Sequence, residues 1–321
     1  MPCTRPWKKD LLRRVRLMGR APHARTDGQF MQPAISIVVP SYNQPPEFVS
    51  ECLASIFAQK GASYEVIFVD GQSNPETLAA VEPFRSRCAH FISEPDEGQA
   101  DAINKGLRLA RGSLVAWLNT DDFYEPGAFQ HMENAFKKNP AAPFHMGIGF
   151  RTDQAGKARR PFYPDNFRFN RRAFVAGLNY ILQPATFIRR EALQKAGGLL
   201  DRNLHYVLDS EIWFRLLTLG DPDWVPFPVA CIREYPSTKT ATGGWLRFME
   251  IQRLADQYSN LQLTPGVLCE LMRLIHDLMT DAEISKLFPK EAEKKVLELW
   301  SCAGEGLRML AGRSDGFPVS N

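Results

Sequence analysis

The sequence of 321 residues contains no cysteine spacing that would hold zinc or build a disulfide framework. Its six cysteines are scattered, without a CxxC or CxxH pair, which is typical of a reducing compartment. No run approaches the roughly 18 consecutive apolar residues that span a bilayer, and the N-terminus lacks the apolar core of a secretory signal peptide. We therefore expect a cytoplasmic protein.

Several nucleotide and nucleophile motifs are also missing. The predicted first strand is followed by PSYNQPP, so neither the GxGxxG dinucleotide fingerprint nor the GxxxxGK[ST] phosphate loop is present. There is no GxSxG turn that would present a nucleophilic serine. The formal net charge of +3 is too small to indicate nucleic-acid binding. What remains is a globular composition with 44% hydrophobic residues, enough for one large or two ordinary domains.

Residues 1–33 are predicted to be a basic N-terminal arm and linker. Between residues 7 and 20, apolar residues recur at three- and four-residue spacing among Lys and Arg. This pattern is compatible with a peripheral helix on the inner face of a membrane, attracted to anionic lipid. It is equally compatible with a solvated leader, and the sequence does not decide between the two.

From residue 34 onward, short β-rich runs alternate with amphipathic helical segments. ISIVVP, YEVIFVD, HFISEP and SLVAWLN are predicted strands, and the helix after the first one has an apolar face of Phe48, Cys52 and Ile56. This alternation predicts an α/β fold with a mostly parallel sheet covered on both faces. Such sheets bind ligands beyond the carboxyl ends of their strands, where polar residues concentrate in this chain.

The second half is predicted to be less regular. Residues 143–164 resemble a hairpin, residues 167–220 a helical region with interruptions, and residues 234–244 a loop. The chain then continues as helices. We therefore predict a catalytic domain over residues 34–245 and a helical C-terminal extension over residues 246–321.

Carboxylates lie where the predicted strands end. A single one, such as Asp70, is usually a helix cap or turn residue. Asp121 and Asp122 are adjacent and follow Asn and Thr, a set of oxygen ligands that suits Mg²⁺ or Mn²⁺. Because Mg²⁺ completes its shell with substrate phosphates, the pair indicates a nucleotide-diphosphate substrate.

Four ordered segments resemble family 2 glycosyltransferases, which are inverting enzymes that use nucleotide sugars. They are ISIVVPSYNQPPEFVSECLASI, EVIFVDGQSN, SEPDEGQADAINKGLRLARGSLVAWLNTDDFYEPGA and QPATFIRREALQKAGGL. The resemblance covers about residues 35–240. It implies a GT-A fold, a Rossmann-like αβα sandwich that binds the donor in its first half and the acceptor in its second.

The same resemblance assigns roles by position in these motifs. Asp70 would hydrogen-bond the base, typically uracil, while Asp121 and Asp122 would hold the ribose and a diphosphate-bound metal. Asn119 stands where an aspartate is common, which leaves the metal one carboxylate fewer. The other nucleotide-binding candidates are Pro40, Ser41, Tyr42, Asn43, Gly98, Asp101, Ala102 and Lys105.

The segment HYVLDSEIWFRLL resembles the acidic motif of this family near the acceptor. Asp209 aligns with its catalytic base, Glu211 is a second acidic candidate, and Leu208 replaces the usual acidic neighbour. The alternative is that Asp209 merely caps a helix with a buried apolar face.

The segment REYPSTKT suits a lid over the donor, from which Arg233 and Lys239 would reach the diphosphate. The family often has a histidine at Tyr235, and the alternative interpretation is an ordinary exposed loop. We thus expect a UDP-sugar donor and a saccharide or lipid-linked saccharide acceptor, used in cell-surface polysaccharide or glycolipid synthesis. A nucleotidyltransferase, disfavoured by PSYNQPP, and a non-catalytic binding subunit are the alternatives.

Overall fold

The computed structural model describes residues 32–164, 167–177, 179–259 and 264–280. The basic arm, with residues 7–20, and the end of the predicted extension, residues 281–321, lie outside the described residues. The strands are β1 (Ile35–Ser41), β2 (Tyr64–Asp70), β3 (His90–Ser93), β4 (Leu114–Trp117), β5 (Phe123–Tyr124), β6 (Phe144–Thr152), β7 (Arg160–Pro161), β8 (Thr186–Arg189) and β9 (Asp223–Arg233). They form one sheet in the order β3-β2-β1-β4-β8-β6-β9-β5, with β7 paired to β6.

Helices connect most of these strands. The helices are α1 (Pro46–Phe57), α2 (Pro75–Arg85), α3 (Gln99–Leu109), α4 (Ala128–Lys138), α5 (Arg171–Val175), α6 (Arg190–Lys195), α7 (Leu208–Leu217), α8 (Lys239–Thr242), α9 (Gly244–Tyr258) and α10 (Pro265–Thr280). A short 3₁₀ turn occupies Gln183–Ala185. The predicted α/β class is therefore confirmed.

The first half of the sheet is parallel, as the sequence predicted. β1 pairs with β2 and β4, and β2 pairs with β3. In this register Ser41 lies opposite Asp70, which in turn lies opposite Ser93. The carboxyl ends of three neighbouring strands therefore meet at one edge, where loops of a parallel sheet can bind a ligand.

Helix packing against this half is close. The predicted apolar face of α1 is buried, with Phe48, Cys52 and Ile56 at most 4% exposed. On α3, a Cβ at Gly106 would lie 2.4 Å from Cγ1 of Val38 on β1. Only a glycine lets the helix approach the strand this closely.

The second half of the sheet departs from the prediction. The hairpin predicted over residues 143–164 is confirmed as β6 and β7. The region 167–220 was predicted to be helical, yet it contains β8, which pairs antiparallel with β4 and β6. The predicted loop 234–244 contains the short helix α8. β8 has only four residues, so its extended state depends on two neighbouring strands that are distant in sequence.

A buried carboxylate joins β1, β2 and the start of β4 at the opposite edge. Glu65 is 6% exposed and accepts hydrogen bonds from the Ser36 hydroxyl (2.6 Å) and from the backbone and guanidinium of Arg111 (2.7–3.0 Å). Desolvation raises the pKa of Glu65, but these hydrogen bonds outweigh it and hold the pKa below its usual value. The ionised form therefore stabilises the fold.

We expect Glu65→Gln to reduce stability at neutral pH. Because the folded-state pKa is depressed, the contribution is present above the unfolded-state pKa and is lost as pH falls through the folded-state value. The difference between wild type and variant should therefore shrink on acidification. Urea unfolding from pH 7 to pH 3 measures it, with Glu82→Gln at an exposed carboxylate as the control. A difference that stays constant over this range would contradict the expectation.

Candidate active site

The rim beyond β1, β2 and β3 carries a buried carboxylate beside an exposed ring. Asp70 is fully buried, and its Oδ2 accepts hydrogen bonds from Ser73 N (3.0 Å) and Ser93 Oγ (2.7 Å). Within the described chain, Asp70 Oδ1 and Ser41 Oγ are buried without a hydrogen-bond partner. Tyr42, by contrast, is 61% exposed. A polar planar ligand could satisfy these oxygens and stack on the ring.

The loop after β3 adds a residue that the sequence interpretation did not assign. Asp96 accepts a hydrogen bond from Gly98 N (2.9 Å), and its Oδ2 would lie 2.4 Å from a Cβ at Gly71. Gly98 has φ of +106°, a conformation that favours glycine, and is the N-cap of α3. The signal for Asp96 was its position at the predicted strand end, within EPDEGQ.

The two adjacent aspartates lie in the turn after β4. Asp122 N donates to the Asn119 carbonyl (3.0 Å), so the strand has ended and the period of two no longer separates their side chains. Asp121 Oδ2 accepts a hydrogen bond from Tyr235 (2.9 Å), and Asp122 Oδ1 accepts one from Arg233 N (3.3 Å). Burial raises the pKa of both carboxyls, and repulsion from Asp121 further raises that of Asp122.

The charges of Asp121 and Asp122 suit a divalent cation. Two desolvated carboxylates that repel each other gain from a positive charge placed between them and the ligand. In the described residues, no group of three His, Cys, Asp or Glu side chains gathers to hold a metal. Asp121 and Asp122 would therefore supply the protein ligands, and substrate oxygens would have to complete the shell.

Arg233 is placed differently from its predicted position in the lid. Its side chain is only 1% exposed and forms an ion pair with Glu51 of α1. The guanidinium donates to the carbonyl oxygen of Asp121 and lies over the rings of Phe48 (4.5 Å) and Phe123 (4.9 Å). It therefore supports the aspartate turn from behind, whereas contact with a diphosphate would require an exposed guanidinium.

Lys239, the other lid candidate, reaches the rim through a chain of hydrogen bonds. Its Nζ donates to Gln99 Oε1 (2.9 Å), and Gln99 Nε2 donates to Asn119 Oδ1 (2.7 Å). Gln99 was not assigned from the sequence. These hydrogen bonds connect the segment 234–244 to Asn119, the first residue of the aspartate turn, so this segment contacts the candidate site.

Asp209 is the second residue of α7. The helix is oriented by Trp213, which is fully buried and stacks on Trp117 of β4 (5.8 Å, 10° between planes). Asp209 does not cap this helix, because Val207 is the N-cap. Its Oδ1 accepts a hydrogen bond from Ser210 N (2.7 Å), and burial raises the pKa of the carboxyl above its usual value.

These groups open into one cavity of about 1640 Å³. Ten of the predicted site residues line it: Pro40, Ser41, Tyr42, Gly98, Ala102, Asp121, Asp122, Asp209, Arg233 and Lys239. The structure thus brings the donor-side and base candidates together.

Five candidates lie elsewhere. Asn43 bridges two loops by hydrogen bonds with Ser73 and Asn74. Asp70 lies just behind the wall of the cavity. Lys105 forms ion pairs with Glu94 and with Asp101. Asp101 also pairs with Arg202 (3.4 Å). Glu211 pairs with Arg215 (2.7 Å) and accepts a hydrogen bond from Tyr258 (2.8 Å).

The fold is that of GT-A glycosyltransferases. The mannosyltransferase PcManGT of Pyrobaculum calidifontis, solved with GDP-Man and Mn²⁺, aligns with a TM-score of 0.54 at 17% identity, covering 93% of this chain and 90% of that one. TarS of S. aureus (residues 1–349), solved with UDP-GlcNAc, aligns with a TM-score of 0.52 at 17% identity, covering 84% and 79%.

The sequence comparison identifies the family. The model of glycosyl transferase family 2 matches residues 36–197, and the chain belongs to this family. An uncharacterized glycosyltransferase of Rickettsia typhi is 26% identical over 193 residues. That alignment covers 59% of this chain and 60% of the relative, so the chain spans about three fifths of the relative's length. None of the described helices is both long and apolar enough to cross a bilayer.

Proposed function

We propose that this protein is an inverting glycosyltransferase that moves a sugar from a nucleotide-diphosphate donor to a hydroxyl acceptor. The observation that carries the proposal is a single cavity that Asp121, Asp122 and Asp209 all line. Membership in glycosyl transferase family 2 supports the reaction class. A UDP-sugar is the preferred donor, because the family resemblance assigns the base, typically uracil, to Asp70, whose Oδ1 has no hydrogen-bond partner among the described residues.

In this proposal the carboxylate of Asp209 removes the proton from the acceptor hydroxyl as that oxygen attacks the anomeric carbon. A hydroxyl is a poor nucleophile, and general-base assistance contributes roughly a hundred- to ten-thousandfold. The raised pKa of Asp209 makes it a stronger base than an exposed aspartate. Attack from the face opposite the leaving nucleotide inverts the configuration at that carbon.

The leaving diphosphate would lie at the aspartate turn. A bound Mg²⁺ or Mn²⁺, held by Asp121 and Asp122, would stabilise the negative charge that develops there. The chain itself supplies a second positive charge for the diphosphate, that of Lys239. The side chain of Gln99 links Lys239 to Asn119 by hydrogen bonds. The segment 234–244 excludes water from the donor, which limits its hydrolysis.

The acceptor we propose is a saccharide or a lipid-linked saccharide for cell-surface polysaccharide or glycolipid synthesis. Residues 7–20 would place the enzyme at the cytoplasmic face of a membrane. This part of the proposal rests on the basic and apolar pattern of the sequence alone.

A panel of UDP- and GDP-sugars with Mn²⁺ tests the proposed reaction. We expect release of nucleoside diphosphate from one sugar donor, slow with water and faster with acceptor. Release of pyrophosphate from a nucleoside triphosphate and a sugar phosphate would instead identify a nucleotidyltransferase. Binding of a saccharide without release of any nucleotide would identify a non-catalytic relative.

Asp121→Ala should weaken donor binding about tenfold, equivalent to ~1.4 kcal/mol, and chiefly in the presence of Mn²⁺. The physical reason is that a cation between the carboxylate and the diphosphate carries the interaction. Calorimetry with a UDP-sugar, in Mn²⁺ and in EDTA, measures both conditions. Glu82→Ala on the exposed face of α2 is the control. Equal weakening in the two buffers would refute metal coordination by Asp121.

A further inference from the structure

The loop that precedes Asp209 is held by a carboxylate from another helix. Glu250 of α9 accepts hydrogen bonds from three consecutive backbone amides: His205 N (2.8 Å) to Oε1, and Tyr206 N (2.7 Å) and Val207 N (3.2 Å) to Oε2. Val207 is the N-cap of α7. The three amides therefore belong to the turn that leads directly into the helix carrying Asp209.

The amide of Val207, at the N-cap, has no carbonyl four residues earlier in the helix to accept from it, and the amides of His205 and Tyr206 lie in the turn just before the helix. Glu250 supplies acceptors from outside, and hydrogen bonds to an ionised carboxylate are roughly twice as strong as neutral ones. A negative charge is also favourable at the positive end of the helix dipole. The position of the turn, and with it the start of α7, thus depends on Glu250.

Close packing adds to this contact. A Cβ at Gly243, the residue before α9, would lie 2.8 Å from Cδ1 of Tyr206. The Nζ of Lys239 is 6.0 Å from the centre of the same ring. The lid segment, the turn 205–207 and the first part of α9 therefore contact one another beside Asp209.

We propose that Glu250 is a positioning residue for Asp209 and that α9 is part of the active centre. The proposal rests on the assignment of Asp209 as the base in the proposed function. The family match ends at residue 197, and the predicted catalytic domain ends at residue 245, so neither includes Glu250. Arg247 and Ile251 of the same helix line the cavity that contains Asp209. The described part of the predicted extension thus contributes to the site.

The test compares Glu250→Gln, which keeps the shape and one acceptor oxygen, with Glu250→Ala, which removes both oxygens. Asp256→Asn is the matched control, because Asp256 is an exposed carboxylate on α9 that bonds Gln252 of the same helix (2.8 Å). Hydrogen–deuterium exchange in the free protein reports on amides 205–207. We expect exchange there to rise more than about tenfold in the alanine variant and less in the glutamine variant.

Steady-state transfer supplies the second readout. Because a base displaced by about 1 Å can lose a hundredfold in rate, kcat should fall roughly tenfold in Glu250→Gln and roughly a hundredfold in Glu250→Ala. The donor KM should change much less than kcat, because Asp121 and Asp122, which hold the diphosphate in the proposed function, lie in a different segment, the turn after β4. A purely structural role would lower the folded fraction without this separation of kcat from KM.

The outcomes separate the two proposals. Unchanged exchange at residues 205–207 would overturn the role of Glu250, whatever the activity. Raised exchange with unchanged kcat would also overturn it, because the turn would then not position the base. A wild-type protein that releases nucleoside diphosphate from no donor would overturn the proposed function instead, and exchange alone would then decide whether Glu250 holds the turn.

Discussion

Asp209→Asn should lower the rate of transfer to the acceptor by roughly a thousandfold. Asparagine has nearly the same shape and can still accept the hydrogen bond from Ser210 N, but it cannot take a proton at neutral pH. UDP binding should remain close to that of wild type, because Asp209 lies on the acceptor side of the proposed arrangement. Turnover assays and UDP calorimetry on the same preparation measure the two effects.

Two comparisons sharpen this prediction. Glu211→Gln removes a carboxylate two residues away that pairs with Arg215, so its effect should fall on stability rather than on transfer. Wild-type kcat should decline on acidification, and the decline should begin at a pH above the pKa of an ordinary aspartate. The reason is that burial raises the pKa of Asp209 and only the ionised carboxylate is a base. If the Asp209→Asn variant transferred sugar at the wild-type rate, Asp209 would be excluded as the base.

Arg233→Met should cost about 3–5 kcal/mol of unfolding free energy, because it leaves the carboxylate of Glu51, whose side chain is only 13% exposed, without its charged partner. It also removes the donor to the Asp121 carbonyl and the positive charge beside Asp121 and Asp122. Urea unfolding measures the loss. The variant should bind a UDP-sugar more weakly even at temperatures where it is fully folded.

The double change Arg233→Met with Glu51→Met separates the ion pair from packing. Replacing both charges by apolar side chains leaves no unpaired buried charge, so much of the lost stability should return. Lys195→Met, which breaks an exposed pair with Glu191 within α6, should have little measurable effect. A single Arg233→Met variant as stable as wild type would show that the pair contributes nothing and would refute the supporting role.

Much of the first half of the domain could be predicted from the sequence. The short runs rich in branched and aromatic residues, the apolar face of α1 and the polar residues at strand ends are local signals, each readable within a few residues. They placed Asp70, Asp121 and Asp122 at one edge of a parallel sheet. The ordered motifs then indicated the family, which the match over residues 36–197 bears out.

The second half could not be predicted in this way. β8 is extended because β4 and β6 flank it, and the run TFIR alone has no strong period. The segment after β9 contains a short helix capped by Thr238, which accepts from Ala241 N, in a stretch whose composition predicted a loop. The contact of this segment with Gln99 joins residues far apart in the chain, which local sequence patterns do not report.

The sequence by itself determined the fold class, the carboxylates at the strand ends and the position of Asp209 at the start of a helix. Only the tertiary structure decided that Arg233 lies behind the aspartate turn and that Glu250 accepts hydrogen bonds from the turn before Asp209. The ion pair between Arg233 and Glu51 joins residues 182 positions apart, and Glu250 lies 44 positions from Tyr206. Helical and strand periodicities report on neighbours within about four residues. Contacts between residues so far apart in the chain leave no periodic signal in the sequence. These contacts hold the turn of Asp121 and Asp122 and the turn before Asp209.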